Sequence, residues 1–386
     1  MRNTTRAIIA AAIVAAAPRL LLAADAPAAP APPPVPALSD LLTGWGLTVS
    51  GDIAASYYHS NGYPGSAAPD SPVGSFREFD ADHDSFQLDE AGLQIGYQPK
   101  TGIGGFVDVI AGTDAQILNE AETNGSSSGA VDVRQAYLQY ATGPLTVIAG
   151  KYVTLAGAEV INPSQNTNFS RSLLFTELEP LDHTGVRATY AVSDTVSVIL
   201  GVNNGWNWVA GSSSAAEGSK TGEIGATWTP NKIFSIATAG YFGKIDDGVD
   251  QSLIDFVGTY NVTSALTLIL NTDFEQFSGA GTGGAVHLNG FAVYANYGIS
   301  DAWRVSVRAE YLNDLGVGHV DEGTITMGYT PVKNFEIRTE LRYDKSQEMD
   351  KIFLREYPNG TDDDLPIYAN NNLEFALQGV YKFSLP

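Results

Sequence analysis

The feature that most constrains the fold of this chain is a two-residue periodicity that recurs from about residue 47 to the C-terminus. In 303–312, apolar side chains alternate with polar or charged ones, and 335–344 repeat the pattern with every charge on one face. Successive side chains of a β-strand point to opposite faces, so the pattern predicts strands with one apolar and one polar face. About sixteen such segments begin near Leu47, Phe86, Ile103, Val131, Leu145, His183, Val196, Thr221, Ile233, Ile254, Leu266, Phe291, Trp303, Glu322, Phe335 and Asn372.

The connections between these segments alternate in length. Every second one is a short, turn-like stretch, beginning at 98, 141, 192, 229, 262, 298 and 330. The others are long and rich in Gly, Ser, Asn and Asp, and they span roughly 60–85, 116–130, 153–182, 205–220, 243–253, 275–289, 313–321 and 345–371. An outer-membrane barrel has tight turns on its periplasmic rim and long loops on its external rim. The alternation therefore favours an all-β, transmembrane antiparallel up-and-down barrel over a soluble β-sandwich, which stays the alternative.

The distribution of charged and aromatic residues fits the same architecture. A lipid-facing surface must be apolar, whereas an aqueous lumen can hold ionised groups. Aromatic residues near the predicted strand ends would form two interfacial girdles: Tyr57, Tyr97, Tyr140, Tyr190, Trp228, Tyr260, Tyr297, Trp303, Tyr311, Tyr329, Tyr343 and Tyr381. The strands near 131 and 233 do not alternate cleanly, which leaves their facing open and permits a bulge.

Composition excludes several other classes of protein. The formal net charge of −22 argues against nucleic-acid binding, because phosphates require a basic surface. The absence of cysteine excludes disulfides, thiolate metal sites and cysteine nucleophiles. The abundance of glycine and aromatic residues makes a helical bundle an unlikely fold.

The N-terminus has the layout of an export signal. Arg2 and Arg6 precede an apolar run at 7–17, which is too short to cross a bilayer as a helix, and small residues follow at 23–26. We therefore expect a signal peptide over 1–26, cleaved near 23–26, and a Pro/Ala-rich periplasmic tether over 27–44. The barrel domain then spans 45–386.

Residues 134–207 carry a series of motifs that resembles a known family. They are GKYVT at 150, EVINP at 159, NFSRS at 168, EP followed by HTGV at 179–186, and GVNNGW at 201, with GTDAQI at 112–117. In order and spacing these motifs are similar to those of the OmpL-like putative beta-barrel porins, and the likeness extends over most of 45–383. The resemblance implies a barrel in the outer membrane of a Gram-negative bacterium and a pore, without specifying a solute. The chain departs from the family's pattern at its C-terminus, where the aromatic residue that usually closes a barrel for assembly is Phe383, followed by Ser384, Leu385 and Pro386.

The predicted size of the barrel suggests its function. Eight strands leave an interior that side chains can fill, whereas about sixteen leave an aqueous channel. We therefore expect passive diffusion of ions and small hydrophilic solutes, without a cofactor, a metal or a catalytic step. The expected partners are outer-membrane lipids, these solutes and the barrel-assembly machinery. A homotrimer of barrels is an open alternative to a monomer.

Two groups of charged residues are candidates for the narrowest part of the pore. One is an inward-facing wall of arginines accompanied by carboxylates: Arg304, Arg308, Arg338, Arg342, Glu310, Glu336 and Glu340. The other is the set of carboxylates on the long connection 153–182: Glu159, Glu177, Glu179 and Asp182. If this connection folds inward, its carboxylates would face the arginines across a constriction and create a transverse field. Alternatively, Arg338 and Arg342 pair with Glu336 and Glu340 in a structural lattice, and the connection caps the barrel from outside.

Rival functions rest on weaker features. A lipid hydrolase would need a Ser–His pair on the outer wall, for which His183 with Ser170 or Ser172 is the nearest candidate. Acidic runs at 80–84 and 362–364 could bind a hard cation, but solvated loop charge explains them as well. A third alternative is a plugged structural or adhesive barrel that binds a partner through its external loops.

Overall fold

A computed structural model describes residues 38–61, 76–80, 84–123, 129–206, 220–246, 249–279, 284–314, 318–347, 353–356 and 367–385. Sixteen antiparallel strands close into a barrel. They are β1 (Leu47–Ser60), β2 (Ser85–Tyr97), β3 (Gly102–Ala111), β4 (Val131–Thr142), β5 (Leu145–Val153), β6 (Asp182–Ala191), β7 (Val196–Asn203), β8 (Thr221–Trp228), β9 (Phe234–Asp246), β10 (Val249–Asn261), β11 (Leu266–Gly279), β12 (Val286–Gly298), β13 (Trp303–Asp314), β14 (Gly318–Val332), β15 (Phe335–Ser346) and β18 (Asn371–Leu385).

The remaining elements lie between the barrel strands or before the first. Strands β16 (Phe353–Glu356) and β17 (Ile367–Ala369) form a separate two-stranded sheet. Helix α1 (Leu38–Trp45) precedes β1 and overlaps the last residues of the predicted tether, α2 (Thr113–Thr123) follows β3, and α3 (Leu173–Glu177) lies between β5 and β6. Among the described residues, no helix has the length and apolar character that crossing a membrane requires.

The barrel closes where the first and last strands pair. β1 is antiparallel to β18, with Val49 opposite Leu385 and Ser60 opposite Glu374. All other neighbours in the barrel follow each other in sequence, so that hydrogen bonding continues around the sheet without an edge. Closure gives every strand two hydrogen-bonded neighbours, which matters because lipid tails cannot form hydrogen bonds with backbone N–H and C=O groups. The predicted architecture and strand number are confirmed.

The two faces of the barrel differ as the alternation predicts. On β15, Arg338, Glu340, Arg342 and Asp344 are buried on the inner face, whereas Leu341 on the outer face is 47 % exposed. Most of the predicted girdle residues are exposed on the outer face, among them Tyr97, Tyr140, Tyr190, Trp228, Tyr260, Tyr297, Trp303, Tyr343 and Tyr381. The outer surface therefore presents apolar and aromatic side chains to lipid.

The strands differ from the sequence pattern in register and in length. The β3–β4 register shifts between Asp108 and Val109, so that β4 carries a bulge in the region where its pattern is irregular. Three predicted long connections, 243–253, 275–289 and 313–321, are shorter than expected because β9 to β14 continue into them. Cross-strand pairing reaches Asp314 and Gly318, for example, and polar side chains hid this extension from the periodicity.

Candidate pore constriction

The third long connection folds into the barrel. We call residues 154–181, between β5 and β6, loop L3. Asn162 of L3 donates a hydrogen bond to Asp52 of β1 (2.8 Å), and Asn168 donates to Thr326 of β14 (2.7 Å). The backbone N–H of Ala158 donates to Asn271 of β11 (2.6 Å). Because these partners lie on inner faces in different parts of the barrel, L3 crosses the lumen and does not cap the barrel from outside.

Local capping and apolar contacts give L3 its shape. The Asn162 side chain accepts from the N–H of Ser164 at the start of a single 3₁₀ turn (Pro163–Gln165), and the Ser172 hydroxyl caps α3 by accepting from the N–H of Phe175. Leu174 of α3 packs in a buried cluster with Tyr294, Leu312 and Val320 of the wall. Phe175 joins a second cluster with Phe79, Ile110 and Leu118. Apolar burial on two sides thus fixes α3 inside the barrel.

Arg308 and Glu159, which the sequence places in opposing groups, are in direct contact. Arg308 is fully buried, and its Nη1 lies 2.7 Å from Glu159 Oε1 and donates to the Ser170 carbonyl (2.8 Å). Glu310 lies 2.8 Å from Arg308 Nε. A buried guanidinium must be paired and hydrogen-bonded, and L3 shares this role with the carboxylates of the barrel wall. The expected gap between these two charges is therefore absent.

The rest of the arginine wall also holds the loop. Arg338 Nη1 donates to the carbonyl of Pro163 (2.9 Å), and Arg342 Nη1 donates to the carbonyl of Arg171. Glu340 accepts from the backbone N–H groups of Phe169 and Ser170 at 2.6 and 2.9 Å.

The pairing within the wall follows the lattice alternative only in part. Arg338 pairs with Glu336 at 2.6 Å, whereas Arg342 pairs with Asp344 at 2.9 Å and not with Glu340. Glu340 is engaged by the backbone of L3 instead, and Glu310 likewise accepts from the N–H of Leu173 at 2.8 Å. The arginine wall therefore forms ion pairs within itself and also binds the backbone of L3.

Of the seven residues of the arginine wall, all of which the structure describes, Arg304 and Glu336 remain partly accessible. Arg304 and Glu336, 2.6 Å apart, have side chains that are 22 % and 18 % exposed. They line a cavity of about 300 Å³ between residues 164–167 of L3 and the ends of β14, β15 and β18 near the short 330–334 turn, where Lys382 also lies. Arg304 Nη1 donates to the carbonyl of Thr167 (2.8 Å), which places this pair at the margin of L3.

The other predicted carboxylates go to different parts of the lumen. Asp182 lies 3.5 Å from Lys151 Nζ, on the β5–β6 side. Glu179 is buried beside Asp255 of β10 and Asp273 of β11. Glu177 ends α3 and is half-buried. Together with Glu159, these three carboxylates do not form a single acidic face opposite the arginines, because L3 carries them past different parts of the barrel wall.

Two arginines outside the predicted strands complete the site. Arg77 is buried, with Nη2 at 2.5 Å from Asp344 and 2.8 Å from Glu374. Arg171 donates to the carbonyls of Val160, Ile161 and Phe169. Neither stands in an alternating pattern, so periodicity could not identify them. The sequence signal that could have identified them is that each is an arginine in a long connection, 60–85 or 153–182, whose other charged residues are mostly acidic.

The predicted Ser–His pair does not form a site on the outer wall. His183 is buried inside the barrel, where its ring stacks on Tyr241 at 4.7 Å between centroids and Nδ1 lies 3.1 Å from the Trp206 carbonyl oxygen. Ser170 accepts from Arg308, and Ser172 caps α3. Of the acidic runs, Asp80 and Asp84 are described, whereas 81–83 and 362–364 lie outside the described residues.

Comparisons with solved structures agree with the barrel fold. The anion-selective porin from Comamonas acidovorans superposes with a TM-score of 0.58 at 11 % identity, covering 87 % of this chain and 99 % of that one. The outer-membrane channel DcaP of Acinetobacter baumannii gives 0.56 at 15 % identity, with 87 % and 97 % covered. OmpT of Vibrio cholerae, in a trimer form, gives 0.58 at 13 % identity, with 87 % and 99 % covered.

The sequence comparisons identify the family. No curated protein matches the chain significantly. The family model described as "Putative beta-barrel porin-2, OmpL-like" matches residues 46–383, almost the whole barrel. The chain therefore belongs to the OmpL-like putative beta-barrel porin-2 family, and its place is the bacterial outer membrane.

Proposed function

We propose that this porin conducts ions and small hydrophilic solutes by passive diffusion through a lumen narrowed by L3. The observation that carries the proposal is a closed sixteen-stranded barrel, wide enough for an aqueous channel, with one long loop anchored across its interior. Diffusion down a gradient requires no cofactor and no covalent step.

The accessible charges at the margin of L3 would set the ion preference. Arg308 and Arg342 are covered by the loop, so they support the constriction and do not contact the solute, whereas the largely buried Arg338 lies at the edge of the cavity. Arg304, Glu336 and Lys382 line the remaining cavity. Since exposed charges near a narrow passage concentrate ions of opposite sign, removal of one of these groups should change selectivity more than conductance.

Single-channel recording of the mature protein in a planar bilayer, under a salt gradient, tests this proposal. We expect stable conductance steps, a reversal potential that Arg304→Gln shifts toward cation preference, and an opposite shift in Glu336→Gln. Lys232→Gln is the matched control, because it removes one positive charge from an exposed periplasmic turn outside the lumen. A shift in Lys232→Gln as large as that in Arg304→Gln would contradict the assignment.

A plugged barrel is the second candidate, and one observation favours it. Residues 76–80 and L3 together bury Arg77, Asp344 and Glu374 in the lumen, which leaves little of the arginine wall in contact with water. A barrel filled in this way would bind a partner through its external loops. Verified insertion without conductance steps, together with loop-dependent surface binding, would place this function first.

We propose no hydrolytic activity, because the strongest Ser–His candidate is dispersed and His183 lies inside the barrel. A phospholipid hydrolysis assay of the inserted protein tests this directly. Substrate turnover that survives in His183→Ala would indicate a different catalytic site.

We also propose that the barrel forms a homotrimer, as the trimer form of the structurally similar OmpT suggests. A separate proposal concerns export, during which residues 1–26 are removed and 27–44 remain as a tether. Native mass spectrometry of protein extracted from membranes measures both the number of subunits and the mature N-terminus. A single subunit, or a chain that begins at Met1, would contradict the corresponding proposal.

A further inference from the structure

A cluster of three carboxylates lies where L3 meets the barrel wall. One oxygen from each of Glu179, Asp255 and Asp273 lies within 4.8 Å of the others. Asp255 and Asp273 stand opposite each other on β10 and β11 and are fully buried, and Glu179 of L3 is 6 % exposed. Three carboxylates at this separation, shielded from water, repel one another strongly when ionised.

Nothing among the described side chains neutralises this cluster. Both oxygens of Glu179, Oδ1 of Asp255 and Oδ2 of Asp273 lack a hydrogen-bond partner. The ion pairs between described side chains include none of the three residues, whereas Glu159 and Glu310, elsewhere in the lumen, lie against Arg308. An unpartnered carboxylate that is more than nine-tenths buried and lies against two others is stable only when a cation or a shared proton offsets its charge.

The surroundings hold the three carboxylates in place. Asn271 donates to Asp255 Oδ2 (2.9 Å) and accepts from the N–H of Ala158, so one side chain ties the wall to L3. Gly157 has φ of +88°, and a side chain there would collide with the Glu179 carboxylate. The backbone of L3 is thus shaped to admit Glu179 to the cluster.

We propose that Glu179, Asp255 and Asp273 bind a hard divalent cation, for which Ca²⁺ is the probe. Ca²⁺ takes about 6–8 oxygen ligands at about 2.3–2.6 Å, and three carboxylates binding in mono- or bidentate mode supply three to six of them, with water completing the shell. The bound ion would offset the repulsion between the carboxylates and link L3 to β10 and β11. This site is additional to the diffusion function and fixes the position of the loop that narrows the lumen.

Calorimetric titration of the folded, full mature protein in detergent tests the proposal. The protein is stripped with EDTA, transferred to chelator-free potassium chloride near physiological ionic strength, and titrated with CaCl₂. We expect one Ca²⁺ per chain, and an affinity that falls by more than about tenfold in Asp273→Asn because a charged ligand is lost. Hydrogen exchange of the amides at 155–159 should slow when Ca²⁺ is added to the wild type and stay unchanged in the variant.

Asp89→Asn is the matched control. Asp89 is also a buried lumen carboxylate, but it accepts from Ser56 and Gln378 and lies on β2. Its variant should bind Ca²⁺ as the wild type does, which excludes general attraction by the acidic chain. If Asp273→Asn fails to reach the heat-modifiable folded form, Glu179→Gln provides the same test from the loop side.

The absence of Ca²⁺ binding by the wild type, or equal binding by Asp273→Asn, would overturn the proposal and leave the cluster held by protons. The result is independent of transport. A protein that conducts without binding Ca²⁺ refutes only this site, and one that binds Ca²⁺ without conducting refutes only the diffusion function.

Discussion

At the scale of single residues, the lumen is organised by buried guanidinium groups. Arg308 contacts Glu159 and Ser170 of L3 as well as Glu310 of its own strand. Desolvating such an ion costs several kcal/mol, so it is stable only while every donor is satisfied. Each arginine therefore stabilises the loop that covers it.

Arg308→Gln should destabilise the folded barrel by about 3–5 kcal/mol, because its carboxylate partners would remain buried without a counter-charge. Unfolding by denaturant in detergent micelles measures the change. Arg304→Gln is the control of the same chemistry at a partly exposed site, where water can replace the lost pair and the loss should be smaller. Equal losses in both variants would mean that burial by L3 contributes nothing.

Glu78, in the short described segment 76–80, should give the stability a pH dependence. Burial, with the negative charges of Glu177 and Asp80, raises the pKa of the Glu78 carboxyl from 4.5 to about 8. The folded state therefore binds this proton more tightly than the unfolded state, and the free energy of unfolding falls as pH rises from about 4.5 to about 8.

Glu78→Gln lacks this titration, so its stability relative to wild type should increase over the same pH range and level off above it. Thermal unfolding at a series of pH values measures the difference. Glu120→Gln removes the same charge from an exposed position of α2 and should run parallel to wild type. A constant difference between Glu78→Gln and wild type at every pH would refute the prediction.

At the scale of elements, L3 is a loop whose backbone is bound by side chains of the wall. Glu340 accepts from two successive backbone N–H groups and from Thr326. Backbone groups inside a barrel lumen need such partners, since L3 has no neighbouring strand to pair with. Its order thus depends on a few carboxylates of β13 and β15.

Glu340→Gln should loosen this attachment, because a charged acceptor forms stronger hydrogen bonds than a neutral amide. We expect hydrogen exchange at Phe169 and Ser170 to accelerate by about tenfold or more. Glu374→Gln is the control, since Glu374 pairs with Arg77 outside L3. Unchanged exchange at these two amides in Glu340→Gln would show that other contacts suffice to hold the loop.

At the scale of the whole molecule, the barrel has an apolar exterior and a charged interior. Val307 on the outer face of β13 is 43 % exposed, whereas its neighbours Ser306 and Arg308 are fully buried inside. Exposing this apolar exterior to water is unfavourable, so the fold depends on lipid or detergent.

Val307→Arg should reduce the stability of the membrane-inserted barrel by about 2–4 kcal/mol, because it places a charge on the lipid-facing surface away from the interfaces. Val332→Arg, at the end of β14 beside a periplasmic turn, should cost only about 0–1 kcal/mol. Reversible unfolding from lipid vesicles measures both. If Val332→Arg reduced the stability as much as Val307→Arg, the assumption that Val307 lies deeper in the bilayer than Val332 would be wrong.

The sequence by itself determined the barrel, its strand number and the face on which each charge of 303–312 and 335–344 lies. This information is local, because alternation is a property of consecutive residues and the turns follow from short stretches of Gly, Pro, Asn and Asp. Where cross-strand pairing extends beyond the alternating pattern, as at Asp314 and Gly318, the predicted strands were too short.

Only the tertiary structure decided what the charges do. Glu159 and Arg308 are separated by 149 positions and meet because L3 crosses the lumen, and Glu179 joins Asp255 and Asp273 for the same reason. Contacts of this kind depend on the path of an irregular loop through a closed space, which no periodicity encodes. The residues that face the lumen can therefore be predicted from the sequence. The contacts between L3 and the inner face of the barrel, which narrow the lumen, depend on closure of the barrel around L3.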